Sequence, residues 1–207
     1  DVTTLHNGVQ LPWLGLGVWK MEDGEEVEQA VRTALHVGYR SIDTASYYQN
    51  EIGVGKAIKE TQTPRKDIFI TTKVWNSDQG YDATLVAFEE SRKKMGLEYI
   101  DLYLIHWPVK GKYIETWKAL ERLYKEGLIR AIGVSNFQTH HLEEVMNQCE
   151  IKPMVNQVEF HPYLAQPELR SFCEQHHIQL QAWSPLMQGK VIHDTTICEI
   201  AKKYNKS

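Results

Sequence analysis

Cysteine is scarce and unpaired. Cys149, Cys173 and Cys198 are odd in number and far apart, and no CxxC occurs. That supports neither a disulfide framework nor a zinc site and suits a reducing, cytoplasmic setting. An excess of one charge is lacking too: 23 basic residues against 27 acidic ones leave a formal net charge of −4. The only basic cluster, Arg92-Lys93-Lys94, reads as a solvated helix face. Neither a nucleic-acid partner nor an anionic membrane surface is expected. No apolar stretch is long enough to span a bilayer, and the first residues show neither the basic segment nor the apolar core of a secretory signal. His140-His141 and His176-His177 invite a metal, but adjacent residues on a helix do not share a face. They are expected to be surface histidines, with no metal bound.

A glycine fingerprint is also missing. Gly15-Leu16-Gly17-Val18-Trp19-Lys20 starts like a dinucleotide turn without its third glycine. Gly53-Val54-Gly55-Lys56 lacks the first glycine of a phosphate loop, because position 50 is Asn. An open, doubly wound sheet normally carries the first of these, so that fold is disfavoured.

What is present is a repeat of short apolar runs and longer amphipathic segments. With 42% hydrophobic and 24% charged residues, the chain has the composition of an ordinary globular domain. Apolar runs begin near Trp13, Ser41, Ile68, Tyr99, Ile129, Met154 and Gln179. Tyr99 to Ile105 and Ile129 to Val134 are almost unbroken, as in parallel strands buried on both faces. Helices are expected over Glu25–Val37, Asp82–Met95, Ile114–Glu126, Thr139–Cys149 and Pro167–His177. Gly38, Gly96 and Gly127 act as stops for the first three, and Pro167 stands near the last start. A further helix begins within Thr195–Tyr204. The spacing of roughly 25–30 residues per unit implies repeated βα architecture. Leu5 to Gln10 reads as a hairpin around Asn7-Gly8, placed to cap the barrel floor. The fold expected is an α/β (β/α)8 barrel with about seven strands present. Residues 1–207 are read as a single domain, incomplete at its carboxyl end, with a gap between Trp13–Gly17 and Gln179–Trp183.

Such a barrel gathers its strand carboxyl ends, and its chemistry, on one face. Asp43, Tyr48, Lys73 and His106 all fall at or just after strand ends. Tyr48 is the candidate general acid. Free tyrosine ionises near pH ~10, and a neighbouring Lys73 ammonium is expected to lower that value. Asp43 would hold Lys73 in place and charged, while His106 would orient a carbonyl oxygen. Each residue alone could be a packed or capping group; four at successive strand ends favour proton delivery to a carbonyl. Trp19, Trp75 and Trp107 also follow strand ends and would ring the mouth with rigid apolar surface. Ser135, Asn136, Gln157, Trp183 and Ser184 occupy later strand ends, where amides and hydroxyls can orient a carboxamide ring and an indole can stack on it.

These residues lie within motifs that resemble the aldo-keto reductase superfamily along the whole chain. The first is Gly38-Tyr39-Arg40-Ser41-Ile42-Asp43-Thr44-Ala45-Ser46-Tyr47-Tyr48-Gln49-Asn50-Glu51. The second runs from Met95-Gly96-Leu97 through Leu104-Ile105-His106-Trp107-Pro108. Ala131 to Phe137 and Val155 to Glu159 match later blocks. In detail the chain is similar to the bacterial branch that reduces glyoxals and 2,5-diketogluconate. The resemblance implies an NADPH-dependent reductase acting on a small carbonyl substrate, monomeric when complete. It implies Tyr48 as proton donor, with Asp43 and Lys73 tuning it, and His106 orienting the carbonyl. Ser135, Asn136 and Gln157 would hold the carboxamide and Trp183 would stack on the nicotinamide. Ser184 and Leu186 would begin the loop over the pyrophosphate. The family's Ile-Pro-Lys-Ser strand end, which grips the adenosine 2′-phosphate, does not occur in these residues. Two other readings share the fold: a cofactor-binding sensor without turnover, and an aldolase using Lys73 as a Schiff base.

Overall fold

The computed structural model describes residues 1–206. A short antiparallel hairpin, β1 (Val2–Thr4) and β2 (Gln10–Pro12), precedes the main sheet. Its turn closes as Asn7-Gly8 predicts: the Gly8 N–H donates to the Leu5 carbonyl and the Leu5 N–H to that of Val9, both at 2.8 Å. Gly8 has φ +87°, a conformation that costs glycine least. The hairpin lies against the amino ends of later strands. Thr3 Oγ1 donates to Gln179 Oε1 at 3.0 Å, and Asn7 Nδ2 to the Arg130 carbonyl at 3.0 Å.

Seven parallel strands follow: β3 (Gly15–Gly17), β4 (Ser41–Asp43), β5 (Phe69–Val74), β6 (Ile100–Ile105), β7 (Ile129–Ser135), β8 (Val155–Glu159) and β9 (Gln179–Trp183). They are neighbours in chain order. Among the described residues seven α-helices accompany them: α1 (Glu25–His36), α2 (Glu51–Glu60), α3 (Tyr81–Met95), α4 (Tyr113–Lys125), α5 (Thr139–Gln148), α6 (Pro167–Gln175) and α7 (Thr195–Lys203). None of the helices among the described residues is long and apolar enough to cross a membrane. Every residue of β5 and β6 is buried, which is why their sequences read as continuous apolar runs rather than alternations. At the floor, the fully buried Asp101 accepts from Arg65, Arg130 and the Ile70 N–H at 2.7, 2.8 and 2.9 Å. Paired and hydrogen-bonded in this way, a buried carboxylate is tolerable.

The sheet is a barrel of the (β/α)8 type left open along one seam. β3 and β9 end the strand order and do not pair with each other among the described residues. β9 is consequently half-exposed along its length, in contrast to β6. The expected gap is where the sequence put it.

One sequence expectation needs completing and one needs correction. The repeated βα pattern implies a helix between β4 and β5 that no named segment supplies, and α2 occupies that place. Gly53 and Gly55 weaken the helical signal because glycine is a poor helix former. Their purpose is close packing: a Cβ on Gly53 would come within 2.5 Å of Val27 Cγ1, and one on Gly55 within 2.3 Å of the Met95 carbonyl oxygen. His141 is not a plain surface histidine. It is half-buried against Tyr113 and Phe137, and its Nδ1 accepts from the Gln138 N–H at 3.1 Å, closing the start of α5.

Candidate active site

The tetrad assembles at the carboxyl ends of β4, β5 and β6. Asp43 is the last residue of β4 and His106 directly follows β6; Tyr48 ends a one-turn 3₁₀ helix, Ser46–Tyr48. The β5 residue Lys73 is the hub. Its side chain is about 1% exposed, and its ammonium bonds Asp43 Oδ1, the Thr44 carbonyl at 3.0 Å and the Tyr48 hydroxyl at 3.4 Å. Ser46 Oγ donates to the Lys73 carbonyl at 3.0 Å, tying the Tyr48 turn to β5.

Electrostatics around this hub differ from expectation in one respect. Burial disfavours the Lys73 ammonium, but the Asp43 charge and the bonds to Asp43 and Tyr48 outweigh it and raise the pKa. Lys73 therefore stays charged, as expected. Tyr48, however, is raised above the usual phenol value rather than lowered. Burial is the largest influence and the Asp43 charge adds to it, so Lys73 offsets the rise only in part. The resting phenol keeps its proton at neutral pH, the form a proton donor needs. His106 is depressed to about 3, first by burial and then by the Lys73 charge. It is neutral at physiological pH. Its Nδ1 is buried without a partner, which leaves Nε2 as the ring nitrogen able to meet a substrate.

The aromatic wall is only partly as expected. Trp75 lies edge-on to His106 at 5.0 Å between ring centroids, and stacks on Tyr47 at 3.8 Å. Tyr47, half-exposed and 6.5 Å from His106, belongs to this wall although it follows no strand end directly. The sequence offers only its place directly before Tyr48 as a signal. Trp19 and Trp107 stand half-exposed, Trp19 with the Lys20 ammonium 4.5 Å from its ring centroid.

The polar residues of β7 to β9 come together at the same mouth, largely bonded to one another. Gln157 Nε2 donates to Asp43 Oδ2 at 2.7 Å and to Gln181 Oε1 at 2.9 Å. Ser135 Oγ donates to the Gln157 carbonyl at 2.8 Å. Asn136, at φ +63°, donates to the His106 carbonyl at 3.0 Å and Ser135 Oγ at 3.1 Å, and accepts from Trp183 Nε1 at 2.9 Å. The first polar group thus touches the tetrad through Asp43, and Trp183 is pinned at the rim by its own N–H. Ser184 and Trp183 line a cavity of about 140 Å³ with His161 and Lys190; Leu186 is exposed beyond it. An uncharged amide and hydroxyl set beside an indole, with a lysine near the next turn, is a donor set that fits a nicotinamide and its phosphates. A larger groove, about 570 Å³, lies outside the barrel between Leu16 and α1, away from the tetrad.

A parallel βα barrel with Tyr, Lys, Asp and His converging at its strand carboxyl ends defines an oxidoreductase-type barrel site. The chain belongs to the aldo/keto reductase family, whose model matches residues 13–203. It is 61% identical over 207 residues to the glyoxal reductase of Bacillus subtilis, covering 100% of this chain and 75% of that protein. It is 48% identical over 210 residues to the methylglyoxal reductase DkgA of Escherichia coli K12, with 100% and 75% covered. Among solved structures, the Bombyx mori aldo-keto reductase in complex with NADP superposes with a TM-score of 0.91 at 35% identity, covering 100% of this chain and 76% of that one. The chain thus spans about three-quarters of the length of these relatives.

Proposed function

We propose that this protein is an NADPH-dependent reductase of small aldehydes and ketones, glyoxals among them, with Tyr48 as proton donor. The observation that carries the reading is the buried Lys73 ammonium shared by Asp43, the Thr44 carbonyl and the Tyr48 hydroxyl at the barrel mouth. Similarity to a glyoxal reductase and to a methylglyoxal reductase supports the substrate class, and a relative solved with NADP supports the cofactor.

NADPH supplies the hydride; the protein's part is binding, orientation and the proton. The carbonyl oxygen sits between the Tyr48 hydroxyl and His106 Nε2. Neutral His106 donates a hydrogen bond and orients the oxygen without supplying charge. As negative charge develops on that oxygen, Tyr48 passes its proton to it. Lys73 stabilises the phenolate left behind, and Asp43 keeps Lys73 in place. Ser135, Asn136 and Gln157 would hold the cofactor's carboxamide, Trp183 would stack on its nicotinamide, and Ser184 and Leu186 would contact its pyrophosphate. Trp19, Trp75 and Trp107, with Tyr47, exclude water and favour small or aromatic aldehydes over large charged ketones. A closed barrel with all eight strands would act as a monomer in the cytoplasm.

Tyr48→Phe tests the assignment, since it removes one oxygen and keeps the ring. Turnover is expected to fall roughly 100- to 10,000-fold, the usual worth of general acid catalysis, with NADPH binding nearly unchanged in fluorescence titration. A loss under about tenfold by that yardstick removes Tyr48 as the donor.

A further inference from the structure

Asn50 stands two residues beyond Tyr48 at the N-cap position of α2, fully buried. Asparagine at an N-cap normally accepts from the helix's own first N–H groups. Asn50 makes no such bond; its amide is turned toward the barrel loops instead. Its Oδ1 accepts from the Thr44 hydroxyl at 2.7 Å. Its Nδ2 donates to the carbonyls of Val18 at 2.9 Å and Met21 at 3.1 Å. Each of these partners supports the tetrad or the mouth. Thr44 follows Asp43; its N–H donates to the Thr71 carbonyl at 2.9 Å, and its carbonyl holds the Lys73 ammonium. The Val18 N–H donates to the Asp43 carbonyl at 3.0 Å, and Val18 and Met21 bracket the Trp19-Lys20 turn. The next residue, Glu51, accepts from the Thr72 hydroxyl at 2.6 Å, directly before Lys73.

One amide therefore joins the ends of β3 and β4 to the segment that carries Tyr48. We propose that Asn50 is a positioning residue that sets the Tyr48–Lys73 relation by holding the Thr44 carbonyl against the lysine. This rests on the reading of Tyr48 as proton donor. The bland alternative is a satisfied buried asparagine that only stabilises a loop. Such a role would lower the folded fraction and leave the chemistry of each folded molecule intact.

Asn50→Ala and Thr44→Val break the tie from its two sides, and Thr44→Ser keeps the hydroxyl. In the full 207-residue chain, three quantities are measured for each: kcat and KM with methylglyoxal, the Kd for NADPH, and hydrogen exchange of the Lys73 ammonium by NMR on isotope-labelled lysine. Asn50→Ala and Thr44→Val should lower kcat at least ~10-fold, with the Kd for NADPH changed less than about twofold, the pattern of a transition-state loss. Both should speed exchange at Lys73, and Thr44→Ser should restore both readouts. Folded variants with unchanged kcat and unchanged Lys73 protection overturn the inference, as does a loss proportional only to unfolded protein. If Asn50→Ala does not fold, Thr44→Val, which replaces a single oxygen, decides. Tyr48→Phe in the same series separates the two levels. Retained turnover there defeats the proton-donor reading, while Lys73 exchange, which needs neither cofactor nor turnover, still decides on Asn50.

Discussion

Burial and the Lys73 ammonium hold the His106 imidazole at about 3, against 6.5 in an open chain. A histidine depressed in the folded state takes up its proton in the unfolded state first. Between pH 6.5 and about 3 the unfolded chain binds the extra proton, so this residue lowers stability as pH falls. Replacing it with glutamine should remove that dependence. In denaturant titrations across this range, wild type and His106→Gln should diverge by about 1.4 kcal/mol per pH unit. Parallel curves would mean that His106 is not buried in this way. Trp75 makes a second residue-scale prediction. It packs between Tyr47 and His106, so Trp75→Ala should remove binding surface felt equally by ground and transition states. KM for small aldehydes should rise roughly 2- to 10-fold, the worth of one aromatic pair, and more than kcat falls. An unchanged KM across a panel of aldehydes would take Trp75 out of the pocket. The tetrad was legible in the sequence because Asp43, Lys73 and His106 sit at strand ends and Tyr48 lies in the turn that follows β4. The raised pKa of Tyr48 was not, since burial is a property of the assembled barrel.

At the scale of elements, strands announced themselves and one helix did not. β5 and β6 are apolar throughout because both their faces are covered. α2 was hidden by Gly53 and Gly55, which lower intrinsic helicity while allowing α1 and the end of α3 to approach. A test lies in the opposition of these effects. On propensity alone Gly55→Ala should stabilise a helix by about 1 kcal/mol. With a Cβ only 2.3 Å from the Met95 carbonyl oxygen, overpacking costing about 1–3 kcal/mol should win. Urea unfolding should show a net loss of stability; a gain would contradict the close approach. Tyr47 was missed for a related reason: sequence places it next to Tyr48, but only the 3₁₀ turn lays its ring on Trp75.

For the whole molecule, the open seam decides behaviour. Among the described residues β3 and β9 each leave one edge unpaired, and Trp13 and Leu14 beside β3 are exposed. Unpaired edges and uncovered apolar surface weaken a sheet and invite association. An eighth strand, accompanied by its helix, would pair both edges, as in a closed barrel of this class. The 207-residue chain is therefore expected to unfold at low temperature and to bind NADPH weakly, and an extension supplying one βα unit should correct both. Thermal unfolding and fluorescence titration of the two forms, with intact mass checked, make the comparison. Equal melting temperatures and equal affinities would show that the seam is harmless.

Strand order, the helices other than α2, the Asn7-Gly8 hairpin, the seven-strand count and the placing of the tetrad at the strand carboxyl ends followed from the sequence, because periodicity and turn chemistry are local. Tertiary structure alone decided how these parts act on one another. It turned Asn50 away from its helix and onto Thr44, Val18 and Met21. It joined Gln157 to Asp43, residues 114 positions apart. It also let burial overrule Lys73 at Tyr48. Hydrogen bonds between distant segments and the loss of water around a charge depend on which strands end side by side, and no local pattern of residues contains that information.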